Sequence, residues 1–504
     1  MTHQAVPVEP LTCDVAVVGL GPVGGLVANL LAATGLKVVA VDSEPDIMQL
    51  PRGVGIDGEI MRAMQTLGLA EELEPFLKVF RGAQYLDAEG QVVATRPPAN
   101  TAGTQGWPDR YNVHQPELEA VLRKSLRDRH VVTELTNTTV EALSQDDQGV
   151  TLTARNTLSE EALQIRAKYT VGSDGGKSTI RRLIDSNYTD YGLNQPWIVA
   201  DFAVTDKADI PDINTHYAHP QSPAIYIHVV RNIRRFEFRA LPDEDLSRAI
   251  DPQNIWQRVS RWITEDQATL LRAAVYTHRS LVADRWRKGR VLLAGDAAHQ
   301  TPPFLGQGLC TGVRDATNLV WRLRDVILRD APDSLLDSYG TERSAHAEHF
   351  IKTATELGTK LTKPTKDSID LLNSRVGREG RGTPPRLGPG IFDPQHGGGV
   401  LSSQPRTVDG VLMDELLGYE FGLVMGQQGA SQLLETDKQH LESANVQLVP
   451  ADVSLDDWLA ENNATAILIR PDRYIYGIYE DLAQCTRALQ ELAGNYARDV
   501  SVVK

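Results

Sequence analysis

The turn Gly19-Leu20-Gly21-Pro22-Val23-Gly24 is a G-x-G-x-x-G. Three glycines at that spacing serve a pyrophosphate. The first permits the tight turn, the second lets the backbone approach the phosphates, and the third allows close helix packing. The helix that follows would offer unpaired N–H groups and the positive end of its dipole. Asp42 lies 23 residues beyond Gly19, where a carboxylate holds a ribose 2′-hydroxyl and disfavours a 2′-phosphate. Two further segments place an aspartate between small residues at the end of an apolar run. One is Val171-Gly172-Ser173-Asp174-Gly175-Gly176. The other is Gly295-Asp296-Ala297-Ala298-His299, followed by Pro302-Pro303 and Gly306-Gln307-Gly308. Such an aspartate accepts from the hydroxyls of a polyol while glycines keep the backbone close. A plain nicotinamide dehydrogenase explains neither segment.

These residues need elements to hold them. Cys13 to Gly19 reads as a Val-rich strand buried on both faces of a parallel sheet, Val23 to Ala33 as a helix, and Lys37 to Asp42 as a second strand, a βαβ unit. The stretch 81–96 reads as a hairpin and Gln115 to Asp128 as an amphipathic helix. In the middle of the chain, Ala224 to Val230 and Arg235 to Leu241 read as an antiparallel pair. Tyr226 and His228 share one face of the first strand, and Phe236 and Phe238 share one face of the second. Arg290 to Asp296 returns to an apolar strand, and a long helix is expected from about Gly312 to Leu328. Residues 375–410, rich in Gly, Pro and Arg, read as a surface linker. Ala466 to Ile469 is the clearest strand of the last block.

Composition bounds the answer. With 504 residues, 41% of them hydrophobic and 23% charged, the chain can bury cores for two or three domains. Lys+Arg 51 against Asp+Glu 66 gives a net charge of −15, which argues against nucleic acid and anionic lipid as partners. The cysteines Cys13, Cys310 and Cys485 are too few and too scattered for a disulfide framework or a tetrahedral metal site, so no metal is expected and a reducing, cytoplasmic setting fits. No apolar run approaches the ~18 residues of a membrane span, and no targeting segment is evident.

Together, the Gly19, Asp174 and Asp296 motifs resemble those of the FAD-dependent aromatic hydroxylases, the single-component flavoprotein monooxygenases, and the resemblance runs along essentially the whole chain. The segments Pro51 to Asp57 and Tyr276 to His299 look most like 3-(3-hydroxyphenyl)propionate hydroxylases and their phenol-hydroxylating relatives. The resemblance implies an α/β fold with a Rossmann-like FAD-binding domain (1–190, returning over 281–360), an inserted β-sheet substrate domain (191–280, with contributions from about 80–110), a linker (361–405) and a thioredoxin-like C-terminal α/β domain (406–504). It implies that Gly19, Gly21, Gly24 and Asp42 bind the ADP half of FAD. Arg52 would lie near the flavin phosphates, Gln115 would contact the flavin, and Asp174 would serve both FAD and the reduced nicotinamide. Asp296 would hold the ribityl chain, and Pro303, Gly306 and Gly308 would lie against the ring. Cys310 stands where many relatives carry asparagine, leaving only a backbone role there. The C-terminal block lacks a C-x-x-C, which excludes dithiol redox chemistry. A structural or oligomeric role, with a homodimer as one form, is the expectation for it.

The implied reaction is hydroxylation of a phenolic substrate, ortho to its hydroxyl, by NADH or NADPH and O2 through a flavin C4a-hydroperoxide. With no second glycine-rich βαβ, the nicotinamide would bind transiently. The protein must exclude water, hold the ring and favour the phenolate, whose parent phenol has a pKa of ~10. His216, Tyr217, Tyr226 and His228 are the candidates for the base, and the sequence does not choose among them. Arg231, Arg234, Arg235 and Arg239 lie where a substrate carboxylate would need a cation, though a solvated hairpin edge is the simpler account. Alternatives stay open: an FAD-dependent oxidoreductase on another aromatic or heteroaromatic ring, or a non-catalytic flavin-binding sensor. A flavin-dependent halogenase is disfavoured because its W-x-W-x-I-P signature is absent.

Overall fold

Five short apolar segments, Leu11–Val18, Val38–Val41, Val132–Leu135, Ala162–Gly172 and Val291–Leu293, pair in parallel as the centre of an eight-stranded sheet. Val15, Ala16 and Val17 are fully buried because helices and loops cover the sheet on both faces. The computed structural model describes residues 9–49, 52–219, 222–362 and 385–496. The helices Pro22–Ala33, Gln115–Arg127 and Gly308–Leu328 meet beside the first strand. The last begins four residues before the expected start. Gly308 takes a helical conformation as readily as a turn, so the glycine loop runs directly into the helix.

A second eight-stranded sheet, mainly antiparallel, runs in the order 299–300, 268–283, 188–204, 233–239, 224–228, 214–217, 83–86 and 92–96. Both expected hairpins are present in it, over 83–96 and 224–239. One face of this sheet is closed by the helix Pro252–Val259 over an aromatic layer that includes Phe202, Phe236 and Phe238. The opposite face packs against Phe304, in the loop that returns to the first domain.

The C-terminal block is a four-stranded sheet in the order 446–450, 421–425, 466–469, 475–479, with the first pair parallel and the others antiparallel. That order, with helices between the first three strands in sequence and a short turn joining 466–469 to 475–479, is the thioredoxin-like topology. The block is welded to the first domain by buried ion pairs. Arg62 grips Asp414 with two nitrogens at 2.7 Å each, and Glu342 lies 2.8 Å from both Arg322 and Arg470.

The expectation of a linker needs correction where it can be tested. Residues 363–384 lie outside the described residues, but from residue 385 the chain is packed in, with Leu387 and Leu401 each 5% exposed against Tyr474. Its glycines mark close approach rather than slack. A Cβ at Gly388 would stand 2.2 Å from the Thr341 carbonyl oxygen, and one at Gly390 would stand 2.0 Å from Glu342 Oε1.

Candidate active site

The first strand ends at Gly19, whose N–H bonds the Val41 carbonyl at 2.7 Å and so draws the glycine turn toward Asp42. Gly21 caps the following helix without any side-chain cap, and the first turn holds no acid, leaving its N–H groups and positive dipole end uncommitted. A Cβ at Gly21 would meet nothing within 4 Å, whereas one at Gly24 would fall 1.8 Å from the Gly19 carbonyl oxygen. Open space above an uncapped helix start, with tight packing behind it, fits a pyrophosphate. Asp42 accepts from Leu20 N–H at 2.7 Å and from Arg123 Nη2 at 3.2 Å. Arg123 also pairs with Glu134. Sequence reading passed over Arg123, although a charged residue on the inner side of an amphipathic helix was a signal.

The remaining cofactor candidates converge on this cradle. Gln115 Oε1 accepts from the backbone N–H groups of Arg52 at 3.0 Å and Gly53 at 2.7 Å, fixing that loop. Its amide donates to Glu119 at 2.7 Å, and burial raises the Glu119 carboxyl to about 7. Arg52 Nη1 meets Asp296 Oδ2 at 3.0 Å in a largely exposed pair, 59% and 40% exposed, that stays accessible to a ligand. Asp174 abuts the first glycine turn, and its carboxylate accepts from Thr179 N–H at 2.6 Å, Ile180 N–H at 3.1 Å and the Ser178 hydroxyl. That side chain therefore builds the turn. Pro303, Gly306 and Gly308 form the loop whose Leu305 carbonyl accepts from Arg110 at 3.1 Å. His299 Nε2 lies 2.8 Å from Asp315, which also accepts from Gly295 N–H at 2.9 Å and Arg343 Nε at 2.9 Å. His299 is thus held in the buried interior by Asp315.

Register decides which base candidates face this loop. His216 pairs with Tyr85 and Ile225, and Ile225 pairs with Glu237, so these four share one face. Ile225 packs in the same layer as Trp197 and Phe304. His216 stacks on Tyr85 at 4.5 Å, and His278 stacks on Trp197 at 5.5 Å and lies edge-on to Phe304 at 6.1 Å. Burial, helped by Arg96 and Arg110, lowers His216 to about 4, and burial lowers His278 to about 3, so both imidazoles are neutral at pH 7. Tyr217 and Tyr226 point the other way. Tyr217 accepts from Trp262 Nε1 at 2.8 Å, and Tyr226 donates to the Pro211 carbonyl at 2.7 Å. His228, on the Tyr226 face, meets Lys78 at 2.7 Å and Asp212. Of the four candidates, His216 alone faces the loop.

The same face carries a polar network that the sequence did not reveal. Asp201 accepts from Arg235 at 2.7 and 3.0 Å and from Arg272 at 2.7 Å. Arg235 also donates to the Arg52 carbonyl at 3.0 Å, and Arg272 donates to the Tyr276 hydroxyl at 3.1 Å. Arg235 is 1% exposed, which corrects the expectation of a solvated hairpin edge for that residue. The period-2 pattern put it on the face opposite Phe236 and Phe238, and only the tertiary fold buries that face.

A protein family described as "FAD binding domain" matches residues 12–354. The probable NADH-specific resorcinol 4-hydroxylase of Rhodococcus jostii (strain RHA1) is 33% identical, covering 96% of this chain and 95% of its own. A 3-(3-hydroxy-phenyl)propionate/3-hydroxycinnamic acid hydroxylase of Mycolicibacterium smegmatis is 32% identical, covering 84% and 79%. Among solved structures, the flavin-dependent monooxygenase PieE in complex with FAD and substrate superposes with a TM-score of 0.82 at 18% identity, over 97% of this chain and all of that one. Aklavinone-11 hydroxylase, in a ternary complex with FAD and aklavinone, gives 0.80 at 20% identity over the same shares. Those two likenesses speak for the fold. Among the described residues, no helix is long and apolar enough to cross a membrane. Matched along nearly its full length, the chain belongs to the FAD-dependent aromatic hydroxylases, the single-component flavoprotein monooxygenases.

Proposed function

We propose that this enzyme hydroxylates a phenol ortho to its hydroxyl, with O2 and a reduced nicotinamide as co-substrates, in the cytoplasm. The observation that carries this reading is that Phe304, in the Pro303 to Gly308 loop, packs 6.0 Å from Trp197 on the sheet face that also bears His216. Cofactor loop and aromatic face meet there. FAD would lie along Gly19 to Gly24, Asp42, Arg52, Gln115 and Asp296, with its ring against Pro303, Gly306 and Gly308. When bound, it supplies hydride acceptance and oxygen activation, chemistry that side chains lack.

The chain's own residues do the rest. Trp197 and Phe304, 1% and 8% exposed, close the apolar layer behind that face and keep water from it. His216, held neutral by burial beside Arg96 and Arg110, accepts a hydrogen bond from the ring hydroxyl, which polarises the O–H bond and raises electron density at the ortho carbon without full proton transfer. The Arg235 to Asp201 to Arg272 network keeps that face rigid and ties it to the Arg52 loop.

The test is reduced-nicotinamide consumption by the purified holoenzyme in air, with catalase present, across resorcinol, phenol and 3-(3-hydroxyphenyl)propionate, with product masses recorded. Strong stimulation by a phenol with a gain of one oxygen is expected. Bound flavin without stimulated turnover by any phenol would overturn the reading in favour of a flavin-binding sensor.

A further inference from the structure

Among the described residues, Glu237 is a carboxylate on the His216 face that the network leaves aside. Its side chain is 7% exposed, and among the described residues no hydrogen bond reaches its carboxylate. Arg235 Nη1 is its nearest ion-pair partner, at 3.7 Å, beyond hydrogen-bond distance, because that guanidinium is spent on Asp201 and the Arg52 carbonyl. The two oxygens are not among the fully buried unpartnered atoms, so they still reach accessible space, and a ligand that brings a donor finds a carboxylate to which no group among the described residues donates. Geometry says which ligand. Glu237 and His216 both pair directly with Ile225, from opposite sides. Two strand spacings, roughly 9 to 10 Å, therefore separate their backbones, with the apolar Ile225 between them. A single aromatic ring lying over Ile225 would present one edge to His216 and the other to Glu237.

We propose that Glu237 accepts a hydrogen bond from a second hydroxyl on the substrate ring, so that the site selects dihydroxybenzenes over phenols with one hydroxyl. This deepens the hydroxylase reading and rests on it. Burial raises the Glu237 carboxyl and Arg235 only partly offsets that, so a phenolic donor meets an acceptor of unusually high basicity. The other charged groups nearby have different roles. Asp201, Arg235 and Arg272 form the network, while Arg96 and Arg110 lie over the Phe80 ring on the His216 side.

The test uses the FAD-loaded enzyme and follows perturbation of the flavin absorbance on titration with resorcinol, with 3-methoxyphenol, which keeps the size but loses the second donor, and with phenol. The wild type is expected to bind resorcinol at least tenfold more tightly than 3-methoxyphenol. That ratio should fall to near one in Glu237→Leu and partway in Glu237→Gln, while affinity for phenol changes less than threefold. If Glu237→Leu does not retain FAD, Glu237→Gln decides. A wild-type ratio below three, or a ratio unchanged in the variants, overturns the role of Glu237 while the hydroxylase reading stands, provided phenols still gain oxygen. If none of the three perturbs the flavin, and neither they nor 3-(3-hydroxyphenyl)propionate gains oxygen, both fall together.

Discussion

Asp201 and Arg235 are direct cross-strand partners, and their side chains close on one another with Arg235 Nε and Nη2 at 2.7 and 3.0 Å from the two carboxylate oxygens. Burial would raise the Asp201 carboxyl, but Arg235 and Arg272 together hold it below the usual carboxylate range. The pair connects the second sheet to the Arg52 loop, since Arg235 also holds the Arg52 carbonyl.

Asp201→Asn should therefore leave two buried guanidinia short of countercharge. A loss of about 3–5 kcal/mol in unfolding free energy is expected, together with weaker FAD retention because the Arg52 loop loses its anchor. Urea denaturation and FAD titration measure the two. An unchanged midpoint with unchanged FAD affinity would sink the network's role.

Two neighbouring glycines should fail in different ways. Gly24→Ala drives a methyl to 1.8 Å from a backbone oxygen and should not yield a folded first domain. Gly21→Ala meets no protein atom within 4 Å, so the apoprotein should keep its thermal midpoint while FAD affinity falls tenfold or more. Circular dichroism and flavin absorbance of the purified variants separate the cases. Full FAD occupancy in Gly21→Ala would remove the pyrophosphate from this turn.

Acid should undock the C-terminal block. Although burial opposes it, Arg322 and Arg470 hold Glu342 at about 2 against the usual 4.5. A depressed carboxyl contributes stability that is fully present above about 4.5 and is lost as pH falls toward 2. The wild type should lose stability steeply across that window. Glu342→Gln should be less stable at pH 7 and flatter below pH 5. Parallel pH profiles for the two proteins would contradict the assignment.

Histidine burial acts over a higher window. His278 sits at about 3, depressed by burial, so the unfolded chain takes up its proton near 6.5 and the folded chain does not. Stability supplied by neutral His278 is present above about 6.5 and lost as pH falls toward 3. Replacing His278 with Gln should flatten the slope of thermal midpoint against pH between about 6.5 and 4. The same slope in both proteins would count against a buried neutral imidazole.

Tyr226→Phe provides a contrast on the face of the second sheet opposite His216. Losing its bond to the Pro211 carbonyl should cost about 1 kcal/mol, and phenol-stimulated turnover should stay within twofold. A hundredfold fall in kcat would return Tyr226 to the list of bases.

The sequence by itself determined the local features, because their causes are local. Strand, glycine turn, helix and acid at fixed spacing define the Gly19 to Asp42 unit, and period-2 alternation fixes that Tyr226 and Phe236 lie on faces opposite Ile225 and Glu237. What alternation leaves open is which face meets the cofactor loop. That depended on Phe304 packing against Trp197, a contact between residues 107 positions apart, and it alone brings His216 forward and turns Tyr217 and Tyr226 away. The ion pairs followed the same rule. Arg235 reads as a surface cation in the chain, and it becomes an internal one only when Asp201 and Arg272, from two other strands of the sheet, close on it. Glycines near residue 388 read as slack because composition reports conformational freedom. The fold uses them for close approach, and only the neighbouring helix decides between the two.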